Sequence, residues 1–244
     1  MNRAKRRRQQ KQQDRDGVDY VLYADDLVEI DLAALPAARS VWLVTESDLD
    51  TPSGLTGMIR VPRAEGLDRA ARRGRAPVIV FMAAGSRFED PDAVMPTFSR
   101  AFGNGAGVVG GLVLDEQEAV KSAGFAISVT GGPYARFTRW NREHPKALRP
   151  RADLQAVPID FLATTRGTFP RFGFRKEFQS YPFFEADYCI RMMREANQPV
   201  LYDPAIVVLA QRDQVTPEDG TYRAAGRQLL VASAGPAYDE FLVL

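Results

Sequence analysis

From Val18 onward, short apolar segments alternate along the chain with amphipathic ones. Strand and helix patterns follow one another at residues 18–23, 26–35, 40–44, 59–61, 66–74 and 77–82. This alternation predicts a mainly parallel sheet covered by helices. The segment 77–82 is apolar on both faces, as expected of a strand buried within such a sheet. Because ligands bind beyond the carboxyl ends of parallel strands, the residues that follow each strand are the first candidates for function.

The composition favours one globular domain behind a charged N-terminal segment. The chain has 244 residues, of which 45% are hydrophobic, enough to bury one sizeable core. The first 16 residues carry seven basic and two acidic side chains and no apolar periodicity. We therefore expect a disordered basic tail over residues 1–17 and a single domain over residues 18–244.

The expected location of the protein rests on what the sequence lacks. No apolar run reaches the roughly 18–20 residues that a membrane span requires, and no signal-peptide core follows the basic start. We expect a cytoplasmic protein whose tail either stays solvated or touches the inner membrane surface. The tail has no interleaved aromatic residues, so nucleic acid is a less favoured partner. Cys189, the lone cysteine, excludes an internal disulfide and is expected in the core.

A helix pattern with two carboxylates at its start precedes the last apolar segments. Glu185 and Asp187 fall just ahead of this helix and are expected at the mouth of a pocket, and Asn197 ends the helix in a left-handed conformation. A short strand at 200–202, an Asp-Pro turn and a second strand at 205–209 follow. The alternative is that both acids only cap the helix and complement its dipole.

Four segments, taken in order, carry a resemblance to a known family. They are Gly-Val-Val-Gly-Gly at 107–111, Ser-Ala-Gly-Phe at 122–125, Gly-Phe-Arg-Lys-Glu-Phe at 173–178 and Phe-Glu-Ala-Asp-Tyr-Cys-Ile-Arg at 184–191. The last two resemble the Gly-Phe-Asp-Glu and Glu-Asp-x-Asp-x-Cys-x-Arg segments of family 2 glycosyltransferases. Together with the Asp-Pro strand, the resemblance spans most of residues 40–210.

This resemblance implies an α/β fold of the GT-A type, the fold of nucleotide-diphospho-sugar transferases, with a mainly parallel sheet flanked by helices. It also implies transfer of a sugar from a nucleotide-sugar donor to a glycan or another hydroxyl acceptor, as in polysaccharide biosynthesis. The resemblance further implies inversion of configuration at the anomeric carbon.

The residues that match the family's donor-binding positions come directly after two of the predicted strands. Thr45, Glu46 and Asp50 match the family's acidic segment that contacts the nucleotide, with Thr45 in place of the first acid. An acidic turn with internal hydrogen bonds is the alternative for these residues. Ala83 and Gly85 occupy the donor-phosphate position, where the family has an Asp-x-Asp group that holds a divalent cation.

The family's metal-binding carboxylates are missing from this position. Residues 82–86 read Met-Ala-Ala-Gly-Ser, and the next acids, Glu89 and Asp90, precede Pro91 as a helix cap would. The sole histidine, His144, is not at the position after the Asp-Pro strand where the family often has one. We therefore expect no bound metal, and manganese or magnesium should not strengthen nucleotide binding.

In a transferase without a metal ion, arginines can neutralise the donor diphosphate. The candidates are Arg87, Arg136, Arg139 and Arg142. Glu185 matches the family's general base with one additional methylene, and Asp187 is the alternate base.

The polar and aromatic segment at 131–153 is the candidate acceptor region. Aromatic side chains alternate there with arginines, a mixture that suits sugar rings and anionic groups. The predicted substrate-binding residues are Arg136 and Trp140 in this segment and Arg191 on the helix. RNA is the runner-up ligand, and a loop whose aromatic side chains cover the sheet edge is the structural alternative.

A non-catalytic role of the same fold is the alternative function. In a carbohydrate-binding or scaffold module, Glu185 and Asp187 would serve as caps and as ion-pair partners of Arg191 or Arg194. The sequence leaves both functions open.

Overall fold

The structure, a computed structural model, describes residues 17–24, 29–127, 132–152, 154–178 and 181–210. Its strands are β1 (Val18–Tyr23), β2 (Ala38–Thr45), β3 (Gly57–Arg60), β4 (Val78–Ala83), β5 (Arg87–Phe88), β6 (Val108–Leu114), β7 (Val120–Ser122), β8 (Phe125–Ile127), β9 (Pro133–Ala135), β10 (Phe161–Thr165) and β11 (Val200–Leu209). Its α-helices are α1 (Arg63–Arg73), α2 (Pro91–Gly103), α3 (Phe169–Phe172) and α4 (Phe183–Arg194). Residues 1–16 of the tail predicted over 1–17, and residues 211–244 of the predicted domain, lie outside the described residues.

Nine strands form one sheet in the order β3-β2-β1-β4-β10-β6-β11-β5, with β7 paired to β6. The pairs β1–β2, β2–β3, β1–β4 and β6–β11 are parallel. β10 runs antiparallel between β4 and β6 and so joins the two parallel groups. β8 and β9 form a separate antiparallel pair. The predicted α/β architecture with a mainly parallel sheet is confirmed.

Helices cover both faces of the sheet, each face with its own apolar core. On one face, α1 and α4 bury Leu67 and Tyr188 in a cluster that includes Phe81 of β4. On the other face, α2 buries Phe98 in a second cluster that includes Val80 of the same strand. All residues of β4 are buried because the strand contributes to both cores. Among the described residues, no helix has the length and apolar character of a membrane span.

The helix predicted at 26–35 is wrong over the part of it that is described. Only a 3₁₀ turn at Leu32–Ala34 forms there, and Asp31 caps it by accepting a hydrogen bond from the Ala33 amide. Pro36 follows at once and cannot continue a helix, so the chain passes directly into β2.

The two strands predicted on either side of the Asp-Pro turn form one strand, β11. Its pairing with β6 shifts register between Tyr202 and Val207. Pro204 has no amide hydrogen to donate, so the strand bulges at this position instead of turning back. The left-handed conformation predicted for Asn197 is confirmed, with φ at +53°.

A buried ion pair fixes the edge of the sheet opposite the carboxyl ends of β1 and β4. Oδ2 of the almost fully buried Asp19 accepts a hydrogen bond from Nη2 of Arg166 at 2.8 Å. Asp19 also accepts from the Ser40 hydroxyl at 2.6 Å and from the Ala76 amide at 2.7 Å. Arg166 directly follows β10 and donates to the carbonyls of Ala71 and Ala76. The pair therefore joins β1, β2, α1 and the end of β10.

Replacing Arg166 with methionine should lower the free energy of unfolding by about 3 kcal/mol, because Asp19 would stay buried without its cation. Urea denaturation at neutral pH measures the loss. Arg69 provides the matched control, since its ion pair with Glu65 is exposed, and Arg69→Met should change stability by less than about 1 kcal/mol. Equal effects of the two substitutions would contradict the role given to the buried pair.

Candidate active site

The carboxyl ends of β1 and β4 meet at one edge of the sheet. Tyr23, the last residue of β1, lies opposite Ala83 of β4. β10 runs in the other direction, so its first residue reaches this same edge, and Phe161 pairs with Met82. Asp160, one position earlier in the chain, therefore lies beside Ala83.

Asp160 is the centre of a buried polar cluster at this edge. Its side chain is 1% exposed, and Oδ1 accepts hydrogen bonds from the Tyr23 hydroxyl at 2.9 Å and from Nζ of Lys121 at 3.1 Å. Oδ2 accepts a longer bond from the Tyr181 hydroxyl at 3.4 Å. The Lys121 side chain is 15% exposed. The cluster therefore extends from the core toward the surface.

Glu185 lies on α4 with its side chain fully buried. Oε1 accepts a long hydrogen bond from the Ile159 amide at 3.4 Å, and Oε2 has no hydrogen-bond partner among the described residues. Burial raises the pKa of the Glu185 carboxyl well above its usual range. The charge of Asp160 raises this pKa further, while backbone hydrogen bonds and the charge of Arg63 lower it. Glu185 therefore keeps its proton to a higher pH than an exposed glutamate does.

The predicted position of the two acids, ahead of the helix and at the mouth of a pocket, is wrong. α4 begins at Phe183, so Glu185 and Asp187 both lie within the helix, and both are fully buried. Phe183 and Phe184 pack into the apolar core and draw the first turn of the helix inward. The acids follow these rings into the interior.

Asp187 is engaged in an internal ion pair. Its Oδ2 accepts hydrogen bonds from Arg191 at 2.8 Å, and Arg175 approaches Oδ1 at 3.4 Å. Arg191 also donates to the carbonyls of Phe172 and Gly173, at 2.5 and 2.7 Å. These contacts lock α4 to the end of α3. A substrate-binding role for Arg191 stays a prediction, as does the role of alternate base for Asp187.

The three residues predicted to contact the nucleotide lie at the end of β2 and in the segment after it, at the same edge. Oγ1 of the buried Thr45 accepts a hydrogen bond from the Ser47 amide at 3.0 Å. Oε1 of Glu46 accepts from the Arg63 amide at 3.0 Å and so caps the first turn of α1. Asp50 is exposed. Turn and cap contacts thus form at the first two positions, and nucleotide binding by all three stays a prediction.

The expected metal position, residues 83–85, has an Ala-Ala-Gly sequence that begins at the last residue of β4. Gly85 has φ at +80°, a conformation that favours glycine. Among the described residues, no group of three His, Cys, Asp or Glu side chains could hold a metal ion. The described carboxylate beside this position is Asp160, which already accepts a hydrogen bond from Lys121. The described residues therefore do not form the set of carboxylate ligands that a divalent cation prefers, and metal independence stays a prediction.

The arginines predicted to replace the metal differ in their surroundings. Arg142 donates to Glu89 at 2.5 Å and to Glu118 at 3.2 Å, so both of its acidic neighbours compete with a phosphate. Arg87 is exposed on β5, the last strand of the sheet. Asp90 is confirmed as a helix cap, since it accepts a hydrogen bond from the Asp92 amide at the start of α2.

The candidate acceptor segment is described over residues 132–152. Trp140 is 39% exposed, and its ring centroid lies 4.8 Å from that of Phe137 and 4.4 Å from that of His144. The Arg136 guanidinium lies over the Phe137 ring at 5.5 Å. Arg136 and Trp140 therefore belong to one aromatic cluster. Their contact with a substrate stays a prediction.

Asp160, Lys121 and Tyr23 are the site residues that the sequence did not reveal. Asp160 stands alone before a short apolar segment, a pattern that is common in any α/β protein. Its importance appears only once β10 is known to be antiparallel to β4. Lys121 comes from β7, a strand of three residues with weak sequence signal.

The arrangement is the GT-A glycosyltransferase fold, a curled and mostly parallel sheet between helices. The structure of GalNAc-T7 with UDP, GalNAc and Mn²⁺ matches with a TM-score of 0.58 at 13% identity, over 88% of this chain and 47% of that one. The mannosyltransferase PcManGT from Pyrobaculum calidifontis, in complex with GDP-Man and Mn²⁺, matches with 0.53 at 13% identity, over 80% and 57%. A crystal structure described as that of a mycobacterial protein matches with 0.53 at 14% identity, over 89% and 73%.

At these identities the likeness shows the fold alone. The chain spans 47% of the first of these structures and 57% of the second. No protein-family model matches this chain, and neither does any curated protein compared with it. The predicted GT-A fold is confirmed, and membership of family 2 stays a prediction.

Glu185→Gln should make the protein more stable than the wild type, and this difference should grow as the pH rises. The Glu185 carboxyl loses its proton at a lower pH in the unfolded chain than in the folded one, so the free energy of unfolding falls as the pH rises between the two pKa values. Glutamine has no carboxyl group to lose a proton, so the stability of the variant lacks this dependence on pH. Its advantage over the wild type should grow by up to about 1.4 kcal/mol per pH unit in that interval.

Urea denaturation from acid to mildly alkaline pH measures this difference. Glu116→Gln serves as the control, because Glu116 is exposed and its substitution should leave the pH dependence of stability unchanged. A constant difference between the wild type and Glu185→Gln at every pH would contradict the raised pKa.

Proposed function

We propose that this protein is a glycosyltransferase that moves a sugar from a nucleotide-sugar donor to a hydroxyl acceptor, with Glu185 as the general base. The fold supports a glycosyltransferase-like function. Support for the assignment to Glu185 comes from the way the buried carboxylates are paired.

The described part of the chain buries four carboxylates: Asp19, Asp160, Glu185 and Asp187. The three aspartates contact a cation at 2.8, 3.1 and 2.8 Å, respectively. Glu185 has no ion pair among the described residues, and one of its oxygens has no described hydrogen-bond partner. A buried and unpaired carboxyl group is unfavourable for folding, which favours a role in function. This exception among the buried acids is the observation that carries the proposal.

The proposed reaction is a direct displacement at the anomeric carbon. Ionised Glu185 accepts the proton of the acceptor hydroxyl while the hydroxyl oxygen bonds to the anomeric carbon of the donor sugar. The bond between that carbon and the diphosphate oxygen breaks, and the nucleoside diphosphate leaves with the electron pair. The configuration at the anomeric carbon inverts. Because its pKa is raised, Glu185 is a stronger base than an exposed glutamate.

Two neighbouring residues support Glu185 in this proposal. The negative charge of Asp160 raises the pKa of Glu185 and so strengthens the base. Lys121, at 3.1 Å from Asp160, keeps part of its side chain exposed at the carboxyl edge of the sheet. Its charge can therefore oppose that of the leaving diphosphate, as a cation other than a metal ion. Lys121 joins Arg139 among the candidates for this role.

A non-catalytic carbohydrate-binding or scaffold module is the second candidate function. The observation that favours it is the ion pair of Asp187 with Arg191, which gives this acid a structural role. The complete burial of Glu185 is also compatible with a module that never receives a substrate.

Titration calorimetry with UDP, GDP and dTDP, each with manganese and with a chelator, tests the donor side. We expect micromolar binding of one nucleotide, with an affinity that changes by no more than about twofold when the chelator replaces manganese, since the described donor set does not suit a divalent cation. A metal-dependent gain in affinity would contradict metal independence. Lack of binding to every nucleotide would favour the non-catalytic module.

Glu185→Gln should lower kcat by about 100-fold or more, because glutamine fills the same space but cannot accept a proton. Its nucleotide affinity should stay within about twofold of the wild type, since the lost interaction belongs to the transition state. Release of nucleoside diphosphate from the nucleotide sugar that binds provides the assay. The wild-type rate should also fall with decreasing pH, with an apparent pKa above about 4.3, the ordinary value for glutamate.

Asp187→Asn distinguishes the two acids in the same assay. This substitution weakens the ion pair with Arg191 and should lower stability more than turnover. Full turnover in Glu185→Gln, together with its loss in a folded Asp187→Asn protein, would transfer the role of base to Asp187.

A further inference from the structure

A strongly basic cavity is formed by residues of the segment 132–152, and none of the buried acids belongs to its described lining. Its volume is about 670 Å³, and its described lining contains four cationic side chains, those of Arg136, Lys146, Arg149 and Arg151. Phe137 contributes an aromatic side chain, and no acidic residue appears in the described lining. Cationic side chains gathered around one cavity offer charged hydrogen-bond donors to an anion that enters it.

A second cavity on the same segment does not have this excess of basic over acidic side chains in its described lining. It has a volume of about 480 Å³, and its described lining contains Arg139 and Arg142 together with Glu118 and Glu143. The basic and acidic side chains of this lining are equal in number, and Arg142 donates to Glu118 at 3.2 Å. The imbalance of the larger cavity is therefore not shared by the whole segment.

Buried contacts hold the walls of the basic cavity. The backbones of Arg151 and Tyr202 exchange two hydrogen bonds, at 2.9 and 2.8 Å, and the Tyr202 hydroxyl donates to the carbonyl of the buried Ala147 at 2.5 Å. On the other side, the Arg136 amide donates to the Gly124 carbonyl at 2.9 Å. Arg136 and Arg151 therefore project from backbone that is already hydrogen-bonded, which reduces the entropy lost on binding.

The basic cavity adjoins the buried acids through β7. The Ala123 amide donates to the Arg136 carbonyl, and the Thr138 hydroxyl donates to the Lys121 carbonyl at 3.3 Å. Lys121 in turn contacts Asp160. The segment that carries Arg136 is therefore hydrogen-bonded to the segment that carries Lys121, the cation of the Asp160 cluster.

We propose that this cavity binds the phosphoryl group of a phosphate-bearing acceptor. Guanidinium groups pair with phosphate oxygens in bidentate fashion, and a cavity of this size falls within the roughly 300–1,000 Å³ range of small-molecule sites. The identification of the ligand as the acceptor rests on the proposed glycosyltransferase function. The anion site itself rests only on the cavity.

A small phosphate ester fits these observations better than RNA does. Single-stranded nucleic acid needs exposed aromatic platforms along a groove. The exposed rings of Tyr134 and Trp140 do not belong to the described lining of the cavity. The site is a cavity with one ring and four cations, which matches one phosphorylated sugar or polyol.

Calorimetric titration of the full chain with glycerol phosphate, and with glycerol as its uncharged match, tests the site. We expect glycerol phosphate to bind and glycerol not to bind. The double variant Lys146→Ala/Arg149→Ala should weaken binding by about tenfold or more, because each substitution removes a charge-assisted contact from an exposed side chain. Arg149→Lys should restore most of the affinity lost in Arg149→Ala, since it keeps the charge.

The control is the double variant Arg69→Ala/Lys176→Ala, which removes the same two residue types from exposed positions outside the described lining of the cavity. Its affinity for glycerol phosphate should stay within about twofold of the wild type, as screening by salt limits distant charges. Equal weakening in both double variants, or unchanged binding in the cavity variant, would overturn the site. Tighter binding of a single-stranded RNA decamer that displaces glycerol phosphate would overturn it as well.

Two further arms identify the source of the phosphate and separate this proposal from the proposed function. Binding to phosphatidic acid vesicles that weakens in Lys146→Ala/Arg149→Ala would identify a lipid phosphate, whereas binding of glycerol phosphate alone would identify a soluble ester.

UDP, GDP and dTDP are titrated into the same variant, and their affinity should not change. Loss of nucleotide binding there would assign the cavity to the donor and overturn the acceptor assignment. Binding of glycerol phosphate without binding of any nucleotide would retain the anion site while the glycosyltransferase proposal fails.

Discussion

β10 runs antiparallel to both of its neighbours, between two groups of parallel strands. This reversal determines which residues reach each edge of the sheet. Asp160 precedes β10 and joins Tyr23 and Lys121 at the carboxyl edge of β4. Arg166 follows β10 and joins Asp19 at the opposite edge. One five-residue strand therefore carries the candidate site at one end and a framework ion pair at the other.

Burial has opposite consequences for the acids of this protein. Asp19 and Asp187 are buried with arginine partners, so their charges hold separate elements of the fold together. Glu185 is buried without such a partner among the described residues, and its pKa rises instead. The same removal from water thus accompanies rigid connections at two positions and a carboxyl group with a raised pKa at a third. In this protein, a buried acid with a cationic neighbour forms an ion pair, whereas the buried acid without one among the described residues has a raised pKa.

Much of the fold could be predicted from residue patterns because those patterns report local physics. The run 77–82 is apolar on both faces, and β4 does contribute to both cores. Asp90 and Pro91 mark the start of α2 as a cap and a first-turn proline do. The order of the segments along the chain also indicated the GT-A fold, which the comparison with solved structures confirms.

The site was less predictable because its geometry depends on contacts between distant residues. No side chain caps α4 at Pro182, so the position of Glu185 and Asp187 inside the helix had no local signal. Their burial depends on the packing of the preceding phenylalanines into the core. Asp160 and Lys121 are 39 residues apart in the chain, and only the strand order brings them together.

The position of Asp160 also bears on how such proteins can be compared. The carboxylate of Asp160, the residue before β10, lies beside Ala83 although the two residues are far apart in the sequence. The charge at this edge of the sheet therefore depends on the order of the strands and not only on the residues at the end of β4. A linear motif read from residues 83–85 would not detect the carboxylate. A comparison of proteins by position around the sheet edge, strand by strand, would detect it.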